Sequence, residues 1–539
     1  MKSNFIIHKL LSSKLFITIV VICSLIAQLN DVFFRDIYRD EFFMALNVRN
    51  FQDSPLAPLT FYIGHIATDL FGDNLFTLRV LKYIFYTITI GIGCFFFYKT
   101  TDKPRASWLL FALFNFTACV ATMDIYNWDT GSYPFMVLTL ISALAYNRHC
   151  SLFRAIIIGL CCGLMTASRI TTAAAIPFLI LLIFLCHTPI RHKIRDASVL
   201  LFTFIATLLL LALVIYGSPD GLYAAWSPNN IITGHGTSSI AISRMLNDLR
   251  WLFCIISLSW MLSLSCFFFA KVAIKVQRHR LVVLLIMSII VSLFTITLTN
   301  YDGTAHVCLW QLSAFVFLFI PQLSHLFNKN DSRHCKIGLI QWILLLFILI
   351  PGIGSDHFYE RIAPMVFMPL IFAYNYAKHR RLIAALCGFM GIAVLTMVAI
   401  KVVGPHIMTR VNLAHISPRS ANIYYRIHNT AEIEAQKSLY DNLADKGYHP
   451  TYLGHKRYYY IYLFAPDNDY SLQHFHNISF IEDQPYYKRL KDFDALVINE
   501  PIYDENNMIQ FQQYLSELGF KEQTASFAPL PSTTHVYLR

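Results

Sequence analysis

The stretch LFITIVVICSLIAQLN, residues 15–30, carries no charged side chain, and the segment that follows it is crowded with charge. An apolar helix of about 20 residues, rising 1.5 Å per residue, crosses the roughly 30 Å hydrocarbon core of a bilayer. Comparable apolar runs recur along most of the chain. The sequence therefore predicts a helical membrane protein whose first span opens into an acidic loop, residues 31–79.

Composition excludes an ordinary soluble protein. Hydrophobic residues make up 56% of the 539 residues, charged residues 14%, and the mean hydropathy is +0.50. A soluble domain has about 25% charged residues, because water must solvate its surface. The abundant Phe and Tyr suit lipid-facing and interfacial positions.

Apolar runs predict about thirteen spans, and the first reads as an uncleaved span because no small-residue cleavage site follows it. The predicted spans are 15–30, 80–98, 107–123, 134–147, 154–170, 171–187, 197–216, 251–270, 281–299, 306–327, 337–351, 364–377 and 382–403.

Lysine and arginine collect in alternate connections, and cytoplasmic loops are the ones that carry this excess. The N-terminus and the connections near residues 99–105, 148–154, 191–195 and 271–280 are basic, whereas 124–133 has no Lys or Arg. The N-terminus is predicted to be cytoplasmic. An odd span count then places the acidic first loop and the C-terminal tail together on the outer face. The net charge of +11 follows from this topology, so no nucleic-acid partner is needed.

The chain divides into a membrane domain, residues 1–403, and a smaller domain, residues 404–539. In the second part apolar runs shorten and charge rises. Residues 494–501 and the terminal THVYLR predict strands, and 508–520 predicts an amphipathic helix closed near Gly519. This indicates a small extracytoplasmic α/β domain. It contains no cysteine, nor does the first loop, so no disulfide framework is expected.

The first loop contains the strongest candidate for chemistry. DIYRDEFFMALNVRNF, residues 36–51, has helical spacing and carries the acidic pair Asp40 and Glu41. This pattern predicts a helix lying at the membrane interface with carboxylates facing a cleft. The alternative is a wetted surface helix whose acids are neutralised by Arg35 and Arg39.

Three further segments carry polar candidates. MDIYNWDTGSYPF, residues 123–135, adds Asp124 and Asp129 without a basic residue in the same loop. Arg169 lies at the outer turn between two spans, where it either contacts a phosphate or snorkels to the headgroups. The segment GSDHFYERIAP, residues 354–364, offers His357, Tyr359, Glu360 and Arg361 before a late span. Asp302, His306 and His65 stay undecided.

Residues 40–81 show the pattern of a known superfamily. An Asp-Glu pair after the first span, a Pro-Leu-aromatic segment, "LFG" and an arginine at the second span resemble the GT-C membrane glycosyltransferases. The branch containing the protein O-mannosyltransferases and the lipid A aminoarabinose transferase is most similar. The resemblance implies a many-span fold, a polyprenyl-phosphate sugar donor and an essential aspartate in the first outer loop. Pro55 and Pro58 are separated here, whereas the family often has two adjacent prolines.

This resemblance implies an inverting sugar transfer at the outer face. Asp40 would be the general base, Glu41 would orient the loop or bind the acceptor, and Asp129 would be the second acid. The residues expected to bind substrates are Arg169, Arg361, Tyr359, His357, Pro58 and Arg79.

Partners follow from the same resemblance: a polyprenyl-phosphate-linked sugar, a lipid, glycan or protein acceptor, and the bilayer, in a bacterial inner membrane. No nucleotide cofactor is expected, because the donor is already activated. Carboxylate oxygens suit hard divalent cations, so Asp40 and Asp129 are also candidate ligands for a metal ion. Two alternatives stay open: a lipid or glycan transporter such as a flippase, and an oligosaccharide ligase or polymerase.

Overall fold

A computed structural model describes the N-terminal 13–225 with short gaps, and parts of the remainder. The described ranges are 13–34, 39–53, 57–120, 126–186 and 188–225, isolated positions between 246 and 398, and 410–412, 414, 417–420, 424–426, 430–454, 457–464, 490–499, 505–527, 530 and 534–539.

The N-terminal part is helical throughout these ranges. Its helices are α1 (Lys14–Phe34), α2 (Arg39–Arg49), α3 (Pro58–Phe71), α4 (Leu75–Thr101), α5 (Pro104–Val120), α6 (Ser132–Arg148), α7 (Leu152–Ser168), α8 (Ile176–Phe184), α9 (Ile190–Tyr216) and α10 (Pro219–Ala225). Among the described residues, α1, α4 and α9 are long and apolar enough to cross a membrane, and α7 is a shorter apolar helix. These helices fit the prediction of a membrane protein.

Helix α1 has its apolar residues outside and its polar residues inside. Leu15, Ile19, Ile22, Ile26 and Leu29 are exposed and recur every three or four residues. On the opposite face, Gln28 is buried and its Nε2 donates to Oδ1 of Asn115 on α5 at 2.7 Å. Lipid solvates an apolar face, whereas a polar side chain in hydrocarbon needs a partner, so this arrangement is the one a bilayer demands.

Helices α7 and α9 approach closely because α7 presents two glycines one turn apart. A Cβ atom on Gly159 would lie 2.5 Å from the carbonyl oxygen of Leu200, and one on Gly163 would lie 2.6 Å from the Cβ of Thr207. Small residues four apart let two backbones meet in a membrane, where van der Waals contact drives association. This packing holds the end of α7 in place.

Six of the seven spans predicted before residue 217 coincide with single helices, namely α1, α4, α5, α6, α7 and α9. The sixth prediction, 171–187, falls on an apolar helical stretch, Ile170–Phe184, that is not α-helical from its start. A 3₁₀ segment, Ile170–Ala175, leaves α7, and α8 begins only at Ile176. Pro177 explains the break, because proline lacks the N–H of a helix interior and is accepted in a first turn. Apart from isolated positions, the six later predicted spans lie outside the described residues, and the total of thirteen stays a prediction.

The C-terminal part contains a four-stranded sheet with helices around it. Its elements are β1 (Arg410–Asn412), β2 (Tyr424–Arg426), α11 (Thr430–Asp445), β3 (Pro450–Gly454), α12 (Arg457–Phe464), β4 (Ala495–Asn499), α13 (Glu505–Glu517), β5 (Lys521–Glu522) and β6 (Thr534–Leu538). The strand order is β3-β4-β6-β5, with β3 parallel to β4 and the other pairs antiparallel. The two strands and the helix predicted after residue 493 are present as β4, β6 and α13. The domain boundary at 404 stays a prediction.

Cysteines take no part in cross-links in the described part of the chain, where all seven are free thiols. Cys161 and Cys162 are both buried in α7. Buried thiols of this kind pack as small apolar side chains.

Candidate functional site

Helix α2, which begins with Arg39 and Asp40, is buried far more than an interfacial helix would be. From Glu41 to Val48 every side chain is buried or half-buried, and Phe42 is fully buried. The prediction of a helix in this segment is confirmed over Arg39–Arg49, and the alternative of a wetted surface helix is wrong over residues 41–48. The reason is that the C-terminal helix α12 covers α2, a contact that no local pattern contains.

Glu41 is held by Arg79 in a two-point ion pair. Nε of Arg79 donates to Oε1 of Glu41 at 2.6 Å, and Nη2 donates to Oε2 at 2.8 Å. Nη1 of Arg79 also donates to the carbonyl oxygen of Val32 at 3.0 Å. Both side chains are almost fully buried. These bonds join α1, α2 and α4 at Glu41, the residue that follows Asp40. The side chain of Asp40 itself is not among those described.

Lys82 is a buried cation that is not among the residues predicted to form the site. It lies one turn beyond Arg79 on α4 and has no exposed surface. Its Nζ is 4.6 Å from the ring centroid of Tyr83 and 5.8 Å from that of Tyr86. The hydroxyl of Tyr83 donates to the carboxylate of Asp31. The signal was present in the sequence as a lysine inside an apolar run.

Asp129 lies in a rigid turn before α6. Oδ1 of Asn127 accepts from the backbone N–H groups of Asp129 and Thr130 at 3.0 and 3.1 Å. The carbonyl oxygen of Asp129 accepts from the backbone N–H and hydroxyl of Ser132 at 2.9 and 2.7 Å. Asp129 is 3% exposed. These bonds leave the carboxylate in a set position inside the protein.

Arg169 forms an ion pair with this carboxylate. Its Nε lies 3.5 Å from Oδ1 of Asp129, and its Cζ lies 4.8 Å from the ring centroid of Trp128. Only 2% of Arg169 is exposed. The headgroup-anchor interpretation is therefore wrong, because a snorkelling side chain must reach the interface. The acidic loop does have a basic partner, which comes from the end of α7.

Thr60 joins these pieces from α3. Its hydroxyl donates to the carbonyl oxygen of Ser168 at 2.8 Å, next to Arg169, and its carbonyl accepts from the Tyr126 hydroxyl. Burial raises the pKa of Tyr126, so this hydroxyl remains a donor. A Cβ on Gly131 would lie 2.3 Å from the Thr60 hydroxyl oxygen, so only glycine fits there. The three segments therefore pack as one unit.

The remaining predicted residues divide into described and undescribed ones. Pro58 is buried at the first position of α3, where its missing N–H costs nothing. On the same helix, Nε2 of His65 lies 3.4 Å from Oδ2 of Asp69. The ring centroid of His65 lies 4.7 Å from that of Phe51. The other candidates, Asp124, Asp302, His306, His357, Tyr359, Glu360 and Arg361, lie outside the described residues.

No group of three or more His, Cys, Asp and Glu side chains gathers within the described residues. Of the two predicted metal ligands, Asp40 and Asp129, the side chain of Asp129 alone is described. Arg169 lies beside its carboxylate. A divalent ion at this carboxylate would have to share it with the guanidinium. The metal site stays a hypothesis.

Comparison with known proteins finds one family. Residues 53–216 match the model of the dolichyl-phosphate-mannose-protein mannosyltransferase family, which is less than a third of the chain. The matched residues include Arg79, Asp129 and Arg169, and begin twelve positions after Glu41, so Asp40 and Glu41 lie outside the match. No curated protein and no solved structure matches the chain. The match supports the GT-C superfamily of membrane glycosyltransferases, and the apolar helices agree with it.

Proposed function

We propose that this protein is an integral-membrane glycosyltransferase that moves a sugar from a polyprenyl-phosphate donor to a lipid, glycan or protein acceptor at the outer face. The observation that carries the proposal is the contact of buried Arg169 with buried Asp129 and half-buried Trp128 within the family match. A buried arginine at the end of a predicted membrane span suits a donor whose phosphate is anchored at the membrane surface. The basic alternate loops support action on the outer side and an inner-membrane location.

In the proposed mechanism the acceptor hydroxyl attacks the anomeric carbon from the side opposite the phosphate. The bond between that carbon and the phosphate oxygen breaks, and the lipid phosphate leaves with the electron pair. Asp40 takes the proton of the hydroxyl as general base. Arg169, together with Arg361, stabilises the charge that develops on the phosphate. Lys82, a further buried cation one turn past Arg79, adds positive charge at the same end of α4.

Helix geometry supports Asp40 in this role. Residues three and four apart share a face of a helix, so positions 40, 43 and 47 lie on one side of α2. On that side, Phe43 makes an edge contact with Trp128, their ring centroids 6.4 Å apart. Because Trp128 also stacks on Arg169, this face of α2 is turned toward the cation. Glu41, on a different face, acts through Arg79 to hold the helix.

Replacing Asp40 with asparagine tests the proposal. We expect unchanged expression and membrane insertion but transfer reduced at least about a hundredfold, because a general base contributes on that scale. The assay is transfer of labelled sugar by purified protein in liposomes, beginning with polyprenyl-phosphate mannose because the matched family is described by that sugar. Asp69→Asn is the matched control, since Asp69 is an exposed carboxylate of the same outer loop.

Two outcomes would contradict parts of the proposal. Near-normal turnover by the Asp40 variant would remove Asp40 from the mechanism. Movement of the labelled lipid across the bilayer without sugar transfer by the wild type would favour the flippase alternative.

If EDTA abolishes transfer and Mg²⁺ or Mn²⁺ restores it, the metal hypothesis for Asp40 and Asp129 gains support.

A further inference from the structure

Asp73 is a meeting point between the first outer loop and the C-terminal domain. It lies in the short connection between α3 and α4, just before the N-cap residue Asn74. Its carboxylate accepts a hydrogen bond from Arg49, the last residue of α2. From the C-terminal part, the hydroxyl of Tyr462 donates to Oδ1 at 3.2 Å, and Nε of Arg419 lies 4.0 Å from Oδ2. Residues almost 400 positions apart thus share one carboxylate.

Tyr462, on α12, is the centre of this contact. It is fully buried, and burial together with the nearby Asp73 charge raises the pKa of its hydroxyl, which therefore stays a donor. The guanidinium carbons of Arg49 and Arg419 lie 5.3 and 5.8 Å from its ring centroid. Nη1 of Arg419 also donates to the Tyr462 carbonyl oxygen at 2.6 Å. The phenol is therefore held by two cations and a carboxylate.

The same tyrosine touches the beginning of α2. The ring centroids of Phe42 and Tyr462 are 5.7 Å apart. Phe42, Leu46 and Arg49 share a face of α2 by helical spacing, and this is the face turned toward the C-terminal domain. The buried apolar cluster that contains Phe42 and Leu46 continues into Tyr462 and the sheet of the C-terminal domain. Tyr462 thus contacts α2 two residues from Asp40 and again at its end.

Stability alone is a weak reason for this network. Asp73 is 40% exposed on its side chain, and Arg49 and Arg419 are each about one-fifth exposed. Ion pairs that reach solvent contribute little to folding free energy. A shared carboxylate does fix distances and angles, since each donor restricts the other two. The network therefore suits the positioning of a helix better than the stabilisation of a fold.

We propose that Tyr462, Arg419 and Asp73 are positioning residues for sugar transfer, through which the C-terminal domain holds α2 and its Asp40 against the outer end of the membrane domain. The inference rests on the proposed function. It assigns the C-terminal domain a part in the transfer step, acting through α2 rather than by touching the reacting atoms.

The test compares Tyr462→Phe with Tyr460→Phe in the full-length protein. Tyr462→Phe removes the hydroxyl from Asp73 and keeps the ring on Phe42. Tyr460 lies on the same helix, but its hydroxyl donates to Glu432 of the C-terminal part at 3.0 Å, which makes it a matched control. Amide hydrogen exchange over residues 39–49 is the first measurement, because it needs no substrate. We expect exchange about fivefold faster or more in Tyr462→Phe and unchanged in Tyr460→Phe.

Turnover of polyprenyl-phosphate mannose is the second measurement. We expect Tyr462→Phe to lower kcat about five- to tenfold, with the donor KM within about twofold of wild type, because the base is displaced while the phosphate site is intact. In an Asp40→Asn background the same change should have no further effect, since residues acting as one unit are non-additive. Arg419→Lys should keep most of the activity that Arg419→Ala loses.

The outcomes separate the two proposals. Unchanged exchange over residues 39–49 together with unchanged kcat would overturn the positioning role. An equal loss in Tyr460→Phe, or full additivity with Asp40→Asn, would overturn it as well, because the effect would then be general destabilisation. If wild-type protein transfers no sugar, the proposed function fails, while the exchange measurement still decides whether the C-terminal domain holds α2.

Discussion

Two buried ion pairs of the N-terminal helical part differ in geometry. Glu41 and Arg79 meet through two hydrogen bonds of 2.6 and 2.8 Å, and a third bond from Arg79 goes to a backbone carbonyl. Asp129 and Arg169 approach only to 3.5 Å, and the guanidinium lies over a tryptophan ring instead. Both pairs are almost completely buried.

The difference in geometry indicates different tasks for the two ion pairs. The Glu41–Arg79 pair suits holding helices together, and the Asp129–Arg169 pair suits substrate binding. A two-point arginine–carboxylate pair has strict geometry and is costly to rearrange. Its place is therefore to hold α1, α2 and α4 together. The longer Asp129–Arg169 contact can open at less cost, because the Trp128 face continues to stabilise the cation. Arg79 was predicted to bind substrate, and its geometry favours positioning; the phosphate role of Arg169 stays a prediction.

Breaking the Glu41–Arg79 pair should have the largest effect. Arg79→Ala leaves a buried carboxylate uncompensated, which costs about 3–5 kcal/mol. We expect little folded protein and a lowered apparent melting temperature, measured by fluorescence-detected size exclusion after heating. The double change Glu41→Leu with Arg79→Met should recover much of the folded protein, because a well-packed apolar pair replaces both charges.

The control for that experiment is Lys437→Ala, which removes the exposed Lys437–Asp441 pair on α11. It should change stability by no more than about 0.5 kcal/mol. A folded, stable Arg79→Ala protein with weakened donor binding would reverse the assignment, and Arg79 would then belong to the substrate site.

Removing Arg169 should have the next largest effect. Loss of a charge-assisted contact to phosphate is worth about 1.5–3 kcal/mol, so Arg169→Ala should raise the donor KM about ten- to a hundredfold. Lysine should restore only part of this, because it lacks the planar fork. The same response is expected at Arg361. Steady-state kinetics in detergent, with Arg105→Ala at an exposed basic position as control, measures it.

The two arginine variants together decide the comparison. If Arg169→Ala loses folded protein to the same extent as Arg79→Ala and retains the donor KM, both ion pairs are structural. The phosphate would then be bound elsewhere.

The smallest effect is expected at Trp128. A cation–π contact contributes about 0.5–1 kcal/mol, so Trp128→Leu should raise the donor KM about two- to fivefold through a less ordered Arg169. Trp108→Leu is the control, since Trp108 is exposed on α5 and packs on Phe111. Equal effects of the two changes on the donor KM would mean that the Trp128 ring fills space and that its cation–π contact with Arg169 does not matter for donor binding.

Much of the secondary structure was predictable because it depends on neighbours along the chain. Apolar runs located α1, α4, α5, α6, α7 and α9, and helical spacing located α2. Alternating and amphipathic patterns located β4, α13 and β6. The turn at Arg169 between the fifth and sixth predicted spans was located as well, but the 3₁₀ start of the sixth span was not, because hydropathy does not register a missing backbone donor.

The site was predictable in residue types more than in pairing. Asp129 and Arg169 were each selected, but their contact was not, since they lie on different loops. The role of Glu41 as the partner of Arg79 could not follow from spacing, because 38 positions separate them. Asp73 had no signal at all: an aspartate in a short turn before a helix is ordinary.

Membrane residence, the helical spans and the concentration of acids in residues 31–79 are properties of the chain as written. They follow from free energies of transfer and local periodicity, which sum over consecutive residues. Only the fold decided that Glu41 meets Arg79, that Arg169 lies over Trp128 beside Asp129, and that Tyr462 reaches Asp73. These contacts join residues from separate segments, and each became favourable only when packing removed water and held the partners within hydrogen-bonding distance.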